Sequence, residues 1–586
     1  MDQRNLIIAI AISIAILIGF QYFGERFFPA PAPTPPAKTT STANVPATNT
    51  PATAPGAPAT APSVAGEAKV APRAQVLAST PRVAIDTPRL AGSINLIGGR
   101  IDDLTLRTYH ETVDPKSAEI VLLAPDGSEH PYFLQFGWLA ANPDVKVPGP
   151  ETRWTASGGA LTPSHPIDLT WDNRAGLKFT RHIAVDSQYM FTVTDHVTNN
   201  GAAAVKLSPY VVDVRKGEPE ISHTYLLHEG PIGVTDGKLH DGSCLFLLGC
   251  DAFNYDEMKK HPHAQFTTTG GWFGFTDKYW LTSLIPMQNA SVTAELQYGK
   301  VGGVDIYQAD YIGAAQDLAP GASVTEESRA FAGAKEVALL DHYEEQLGIP
   351  NFDRAIDFGW FYWITKPIFL ALGFFYKILG NFGLAILLLT VLIKLVFFPL
   401  ANKSYRAMSK MKKLQPEMQK LREKYGDDKQ KLNQEMMALY KRVGANPMAG
   451  CLPIVIQIPV FFSLYKVLYV TIEMRHAPFY GWIHDLSAPD PTSFFNLFGL
   501  LPFAPPDVSF LHIGAWPLIM GLTMFLQQKL NPQPPDPIQA KMFMVLPIVF
   551  TFMLAQFPAG LVIYWSWNNL LSIAQQWAIM RRSGAA

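Results

Sequence analysis

Five apolar segments crowd the C-terminal third of the chain, at 384–400, 452–470, 510–526, 542–557 and 561–579. Each is close to the length a helix needs to cross a hydrocarbon layer of ~30 Å. A sixth run, 6–23, follows Arg4 and ends in Gln21-Tyr22-Phe23-Gly24, with no small-residue cleavage site after it. It reads as an uncleaved anchor. The expectation is therefore six transmembrane helices. Phe494 to Phe503 is apolar but too short to cross; it is expected to dip into the outer leaflet or to pack as an extra loop helix.

Between these ends the composition changes twice. Residues 29–74 are mostly Ala, Pro and Thr. Such a stretch cannot bury enough apolar surface to offset its ordering entropy and reads as a disordered linker, whether for reach or as a mere spacer. From 75 to 340 short alternating runs appear, such as Leu177, Phe179, Ile183 and Val185, then Phe191 and Val193. Asp126-Gly127, Asn200-Gly201, Asp236-Gly237 and Asp241-Gly242 punctuate them. Period-two apolar residues between such turns predict antiparallel strands in a large β-sandwich. His182, His196 and His223 lack metal-ligand spacing, so no metal site is expected. Cys244 and Cys250 are near enough in sequence to pair if their domain lies outside the cytoplasm; Cys451 reads as packing. Residues 341–383 are aromatic but interrupted by Lys366, Pro367 and Lys377, which suits amphipathic helices lying at the interface.

Charge sets the orientation. The segment 402–446 holds twelve Lys and Arg against five acids, so it belongs in the cytoplasm. After 470 come Glu473, Asp485, Asp490 and Asp507 against Arg475, which places that stretch outside. Counting spans then puts both termini in the cytoplasm and the β-domain outside. Within 402–446, Met411, Leu414, Met418, Leu421 and Tyr425 recur at three- and four-residue steps. Leu432, Met436, Leu439 and Tyr440 continue the seam after Gly426-Asp427-Asp428. This predicts a helical hairpin. Its charges either only hold it inside or meet anionic lipid, ribosomal RNA or a partner protein.

One residue is out of place. Lys394 stands inside the apolar run 389–399, about 13 Å along a helix from Lys403. A lysine at the centre of a span costs roughly 2.5–3.5 kcal/mol on insertion scales. No Asp or Glu occurs in the other apolar segments, whereas Lys466 can snorkel from the outer end of its own. Neutral polar groups are at hand: Thr390 one turn earlier, Gln457 and Gln556, and the stripe Tyr564, Asn568, Ser572 and Gln576. A polar stripe can glue helices together; beside an unpaired cation it points to the lining of a wet groove. A solute transporter could also use a buried lysine, although no internal repeat is visible. A membrane-anchored carbohydrate enzyme built on the β-domain is a second rival. Near-zero net charge gives no pointer to nucleic acid, and no P-loop or metal-ligand cluster is present.

The order of motifs adds a resemblance. Gly426-Asp427-Asp428-Lys429-Gln430 and Gln434-Glu435-Met436-Met437-Ala438-Leu439-Tyr440-Lys441 resemble the hairpin of the YidC/Oxa/Alb insertase family. So do Asn446-Pro447, Gly450-Cys451, Gln457-Ile458-Pro459-Val460-Phe461, Trp482-Ile483-His484-Asp485-Leu486 and Phe557-Pro558-Ala559-Gly560-Leu561. The anchor and β-domain fit the family's Gram-negative form. The resemblance implies a multi-domain α+β membrane protein: an anchor at 1–28, a periplasmic β-supersandwich, and a five-helix insertase core over 384–582 with a cytoplasmic hairpin. It implies insertion and folding of nascent membrane proteins in the inner membrane, alone or with the Sec translocon, without enzyme chemistry, cofactor or small-molecule substrate. Lys394 matches a groove position that is usually Arg in the family, and Thr390 and Trp565 match positions that contact the emerging substrate helix. Lysine keeps the charge but lacks the planar fork that grips a carboxylate at two points. The outer loop from Ser493 to Ala515 is longer than the family's, with no role implied.

Overall fold

The computed structural model describes residues 70–582 apart from 218, 220, 222–226, 242–253, 360, 426–427, 444–451, 502–511 and 532–536. The expected anchor, nearly all of the linker, and all three cysteines lie outside the described residues.

Strand alternation builds the N-terminal body. In Leu177–Val185 every second residue is buried, which puts Leu177, Phe179, Ile183 and Val185 on one face as the sequence predicts. Two antiparallel sheets result. One has ten strands, running Arg82–Asp86, Leu90–Asn95, Arg100–His110, Tyr132–Ala140, Val205–Lys216, Val304–Gly313, Ser291–Val301 and His263–Thr269. Two short strands join it on the side. The other has nine strands, with Trp280–Pro286, Ser323–Ala334, Met190–Asn199 and Leu177–Val185 at its centre. Gly230–Thr235 and Lys238–His240 are joined by Asp236-Gly237, both at positive φ, the backbone a two-residue hairpin turn requires. Trp138, Trp272, Phe179, Phe191 and Phe331 fill the space between the sheets.

The helices are α1 Arg73–Ala78, α2 Tyr255–Lys260, α3 Val337–Leu347, α4 Tyr362–Leu379, α5 Phe382–Val396, α6 Phe398–Tyr425, α7 Lys429–Val443, α8 Leu452–Val470, α9 Ala515–Leu530, α10 Pro537–Leu554 and α11 Ala559–Arg582. Side-chain charges tie the sandwich to the helical region. Lys366 of α4 pairs with Asp341 of α3 and with Asp353. Glu473, just after α8, accepts from the Val337 N–H, and Arg475 donates to the His110 carbonyl. Lys466 of α8 does not snorkel: it pairs with Asp357 at 2.6 Å, and that carboxylate also accepts from the His228 N–H. The partner lies 109 residues away in sequence, beyond any local pattern.

The first predicted apolar span, 384–400, is not one straight helix. α5 ends at Val396, and the chain turns by 68° at Phe397 into α6. Among the described residues no single helix is long and apolar enough to cross a membrane, and α5 with α6 passes that test only as a bent pair. α5 has 15 residues, about 22 Å of rise. α11 has 24, but its polar stripe lowers its apolar content. α6 and α7 meet through Leu414, Met418 and Leu439, flanked by Met411, Leu421, Met436 and Tyr440.

Candidate functional site

The bend at Phe397 defines the site. It puts Lys394 in the last turn of α5, where the negative end of the helix dipole favours a cation. The other end of α5 is held by Asn381, whose side chain accepts from the Leu384 N–H. Lys394 is half-buried, and its ammonium donates to Ser572 Oγ of α11 at 2.7 Å. Among the described residues no carboxylate comes within ion-pair distance of it. The serine hydroxyl in turn donates to the Asn568 carbonyl at 2.7 Å, one turn back in its own helix. Its proton is thus committed, and only its lone pairs face the lysine.

Beside this contact is a cavity of about 40 Å³, lined by Ile393, Lys394, Phe397, Leu400, Ala401, Tyr405, Gln457, Val460 and Gln575. That is room for about two or three waters. Gln575 Nε2 is buried with no hydrogen-bond partner among the described residues, a donor that such water would satisfy. Tyr405 lines the cavity from α6. The cavity thus has polar side chains from α5, α6, α8 and α11 set among apolar ones.

The predicted site residues do not all converge. Lys394 and Gln457 share the cavity, and Gln457 Nε2 donates to the Tyr564 hydroxyl, bringing α8 and α11 together. Thr390 is buried and donates to the Ile386 carbonyl of its own helix, so it presents no free donor here. Trp565 stands edge-on to Phe461, with ring centres 4.6 Å apart, and Asn568 is buried beneath Ser572. Gln556 is exposed in the break between α10 and α11, roughly 20 Å along α11 from Ser572. Neighbouring members of the polar stripe do different work: Ser572 meets Lys394, while Gln576 donates to Asn531 at the end of α9. Tyr405 and Gln575 went unread in the sequence, the first because it belongs to a basic stretch, the second because it sits one position off the stripe.

Comparison with known proteins decides the family. Residues 82–371 match the family model described as the YidC periplasmic domain, and 374–585 match the 60Kd inner membrane protein model. The membrane protein insertase YidC of Methylobacterium sp. (strain 4-46) is 52% identical over 615 residues, covering 100% of this chain and 96% of that one. That of Granulibacter bethesdensis is 52% identical over 586 residues, covering 100% and 98%. The chain belongs to the YidC family of membrane protein insertases. As a YidC-family member it is an inner-membrane protein with a periplasmic domain, and the sandwich falls within the match to that domain. The solute-transporter reading finds no support in these relatives.

Proposed function

We propose that this YidC-family chain inserts nascent membrane proteins through a polar recess centred on Lys394. The single observation that carries this is the company Lys394 keeps: a cation held by one neutral hydroxyl beside a small cavity that Gln457 and Gln575 also line. The recess shortens the apolar distance that a client's polar tail must travel. Lys394 attracts acidic residues in that tail as a point charge. The client's apolar helix then moves past Thr390 and Trp565 into lipid, and hydrophobic transfer drives the step. No covalent chemistry, nucleotide or metal enters. In this reading the helices form six spans with both termini in the cytoplasm, and α6 and α7 make the cytoplasmic hairpin. Its twelve basic residues suit anionic lipid or ribosomal RNA. Clients arrive alone or beside the Sec translocon.

Replacement of Lys394 by Ala, Arg or Glu in an insertion assay tests the charge. Arg is expected to preserve insertion of a client with an acidic tail, Ala to weaken it, and Glu to reduce it tenfold or more, the equivalent of ~1.4 kcal/mol. Equal insertion by all three removes the proposed role. Photo-crosslinkers at Trp565 and Thr390 should give adducts with a single-span client during synthesis.

A further inference from the structure

The long outer loop has a described part, Asp490 to Leu501, with an unusual division of labour between backbone and side chains. Its root is rigid. Asp490 is 4% exposed. One of its oxygens accepts from Trp482 Nε1 and from the Thr492 N–H and hydroxyl, and the other accepts from the Trp516 N–H. Thr492 Oγ1 accepts from the Ala515 N–H. The first donors of α9 are thereby capped by an acid, as a helix N-terminus favours. Gly514 makes this approach possible, because a Cβ there would lie 2.4 Å from the Asp490 carboxyl carbon.

Beyond the root the side chains turn outward. Phe494, Leu497, Phe498, Leu500 and Leu501 are all exposed, Leu500 to 82%. Leu497 and Phe498 hold φ of +50° and +59°, a region bulky residues rarely enter without compensation. The backbone, by contrast, turns inward. Phe494 N–H donates to the Ile513 carbonyl, Phe495 to Ser493 Oγ, and Phe498 to the Ser493 carbonyl. Gly499 donates to Asn496 Oδ1, Leu500 to the Leu497 carbonyl, and Leu501 to the Asn496 carbonyl. A loop made for water leaves its N–H groups to solvent and tucks its apolar side chains away. This one does the reverse, as a segment placed in hydrocarbon must. No charged residue occurs from Pro491 to Pro506. The root is also the start of α9, where Leu518, Leu522 and Leu526 continue an exposed apolar stripe at four-residue spacing.

We infer that Phe494–Leu501 is a lipid-binding wedge, seated among acyl chains just below the headgroups of the periplasmic leaflet. There it fixes the depth of the outer end of α9. The occupant is lipid: six inward-bonded N–H groups, outward apolar side chains and absence of charge match hydrocarbon, and Asn496, the one polar side chain of the segment, has its Oδ1 taken by the Gly499 N–H. The proposal does not depend on how Lys394 acts.

The test uses the full chain with Cys244, Cys250 and Cys451 replaced by serine and a fluorescent label on Leu500→Cys, an exposed position where folding is not at stake. It is reconstituted in phosphatidylethanolamine–phosphatidylglycerol vesicles, with a label on Val304→Cys of the sandwich as the aqueous control. Lipids spin-labelled near the top of the acyl chain are expected to remove most of the emission at 500, and aqueous iodide little; at 304 the order reverses. Quenching by iodide alone at 500 overturns the wedge. Protection from both quenchers also overturns it, because the tip is then covered by protein, whether a second copy or another chain.

Discussion

Two cations, one buried and one half-buried, show how differently the halves of this molecule treat charge. In the sandwich, Arg181 is fully buried, yet Asp195 on the neighbouring strand grips it with two parallel bonds of 2.7 and 2.8 Å. Trp138 also donates to that carboxylate, and the Trp154 ring covers the guanidinium. In the helical region, Lys394 has one neutral hydroxyl and a small polar space. A pair that neutralises its own charge is architecture. A cation left with neutral company retains its attraction for whatever comes past. The sandwich spends its charge internally; the helices keep one in reserve.

The largest expected effect breaks the first side of this contrast. Asp195→Ala strands Arg181 in the core and should destabilise the sandwich by about 3–5 kcal/mol, read as a lower urea midpoint. The second side predicts the opposite sign. Lys394→Leu removes a half-buried charge whose cost is bounded by the roughly 2.5–3.5 kcal/mol of a mid-span lysine, so the variant should melt no lower than the parent while insertion of acidic-tailed clients falls. A loss of both stability and insertion would show Lys394 to be structural, as Arg181 is.

A third test concerns buried acids. Asp213 is fully buried with one oxygen unpartnered among the described residues, and burial pushes its carboxyl up to about 7. The folded state therefore keeps a proton that the unfolded chain releases near pH 4. Stability falls as pH rises from about 4 to about 7. Asp213→Asn should flatten that slope in unfolding midpoints taken across the window. Asp310 and Glu473, also pushed up to about 7, keep part of it. The smallest effect belongs to Glu417, paired with Arg442 on the surface of the α6–α7 pair. Glu417→Ala should change stability by under about 1 kcal/mol in thermal melts.

What the sequence made legible was whatever repeats locally. Leu177 to Val185 declared their strand by alternation, and Leu414, Met418 and Leu439 declared their seam by three- and four-residue steps. Lys394 stood out because its surroundings are uniform. Illegible were the contacts that join distant segments. Asp357 stands outside the apolar segment it serves, so Lys466 looked like a snorkelling residue. The bend at Phe397 moved Lys394 from the middle of an apolar run to a helix end, a change no hydropathy window contains. Gln556 looked like part of a span because the run around it is apolar, yet Pro558 and Gly560 mark the break that separates it from Lys394.

The committed proton of Ser572 sets a threshold for exchange at Lys394. A passing backbone carbonyl or hydroxyl offers the ammonium only what it already has, so a swap gains little. A carboxylate adds the attraction of an opposite charge, which no neutral oxygen supplies. In the proposed mechanism the serine would act as a reference weight on a balance, which acidic groups outweigh and neutral ones do not. Removing that weight, as in Ser572→Ala, would leave Lys394 readier to accept any oxygen and so less able to tell one client tail from another.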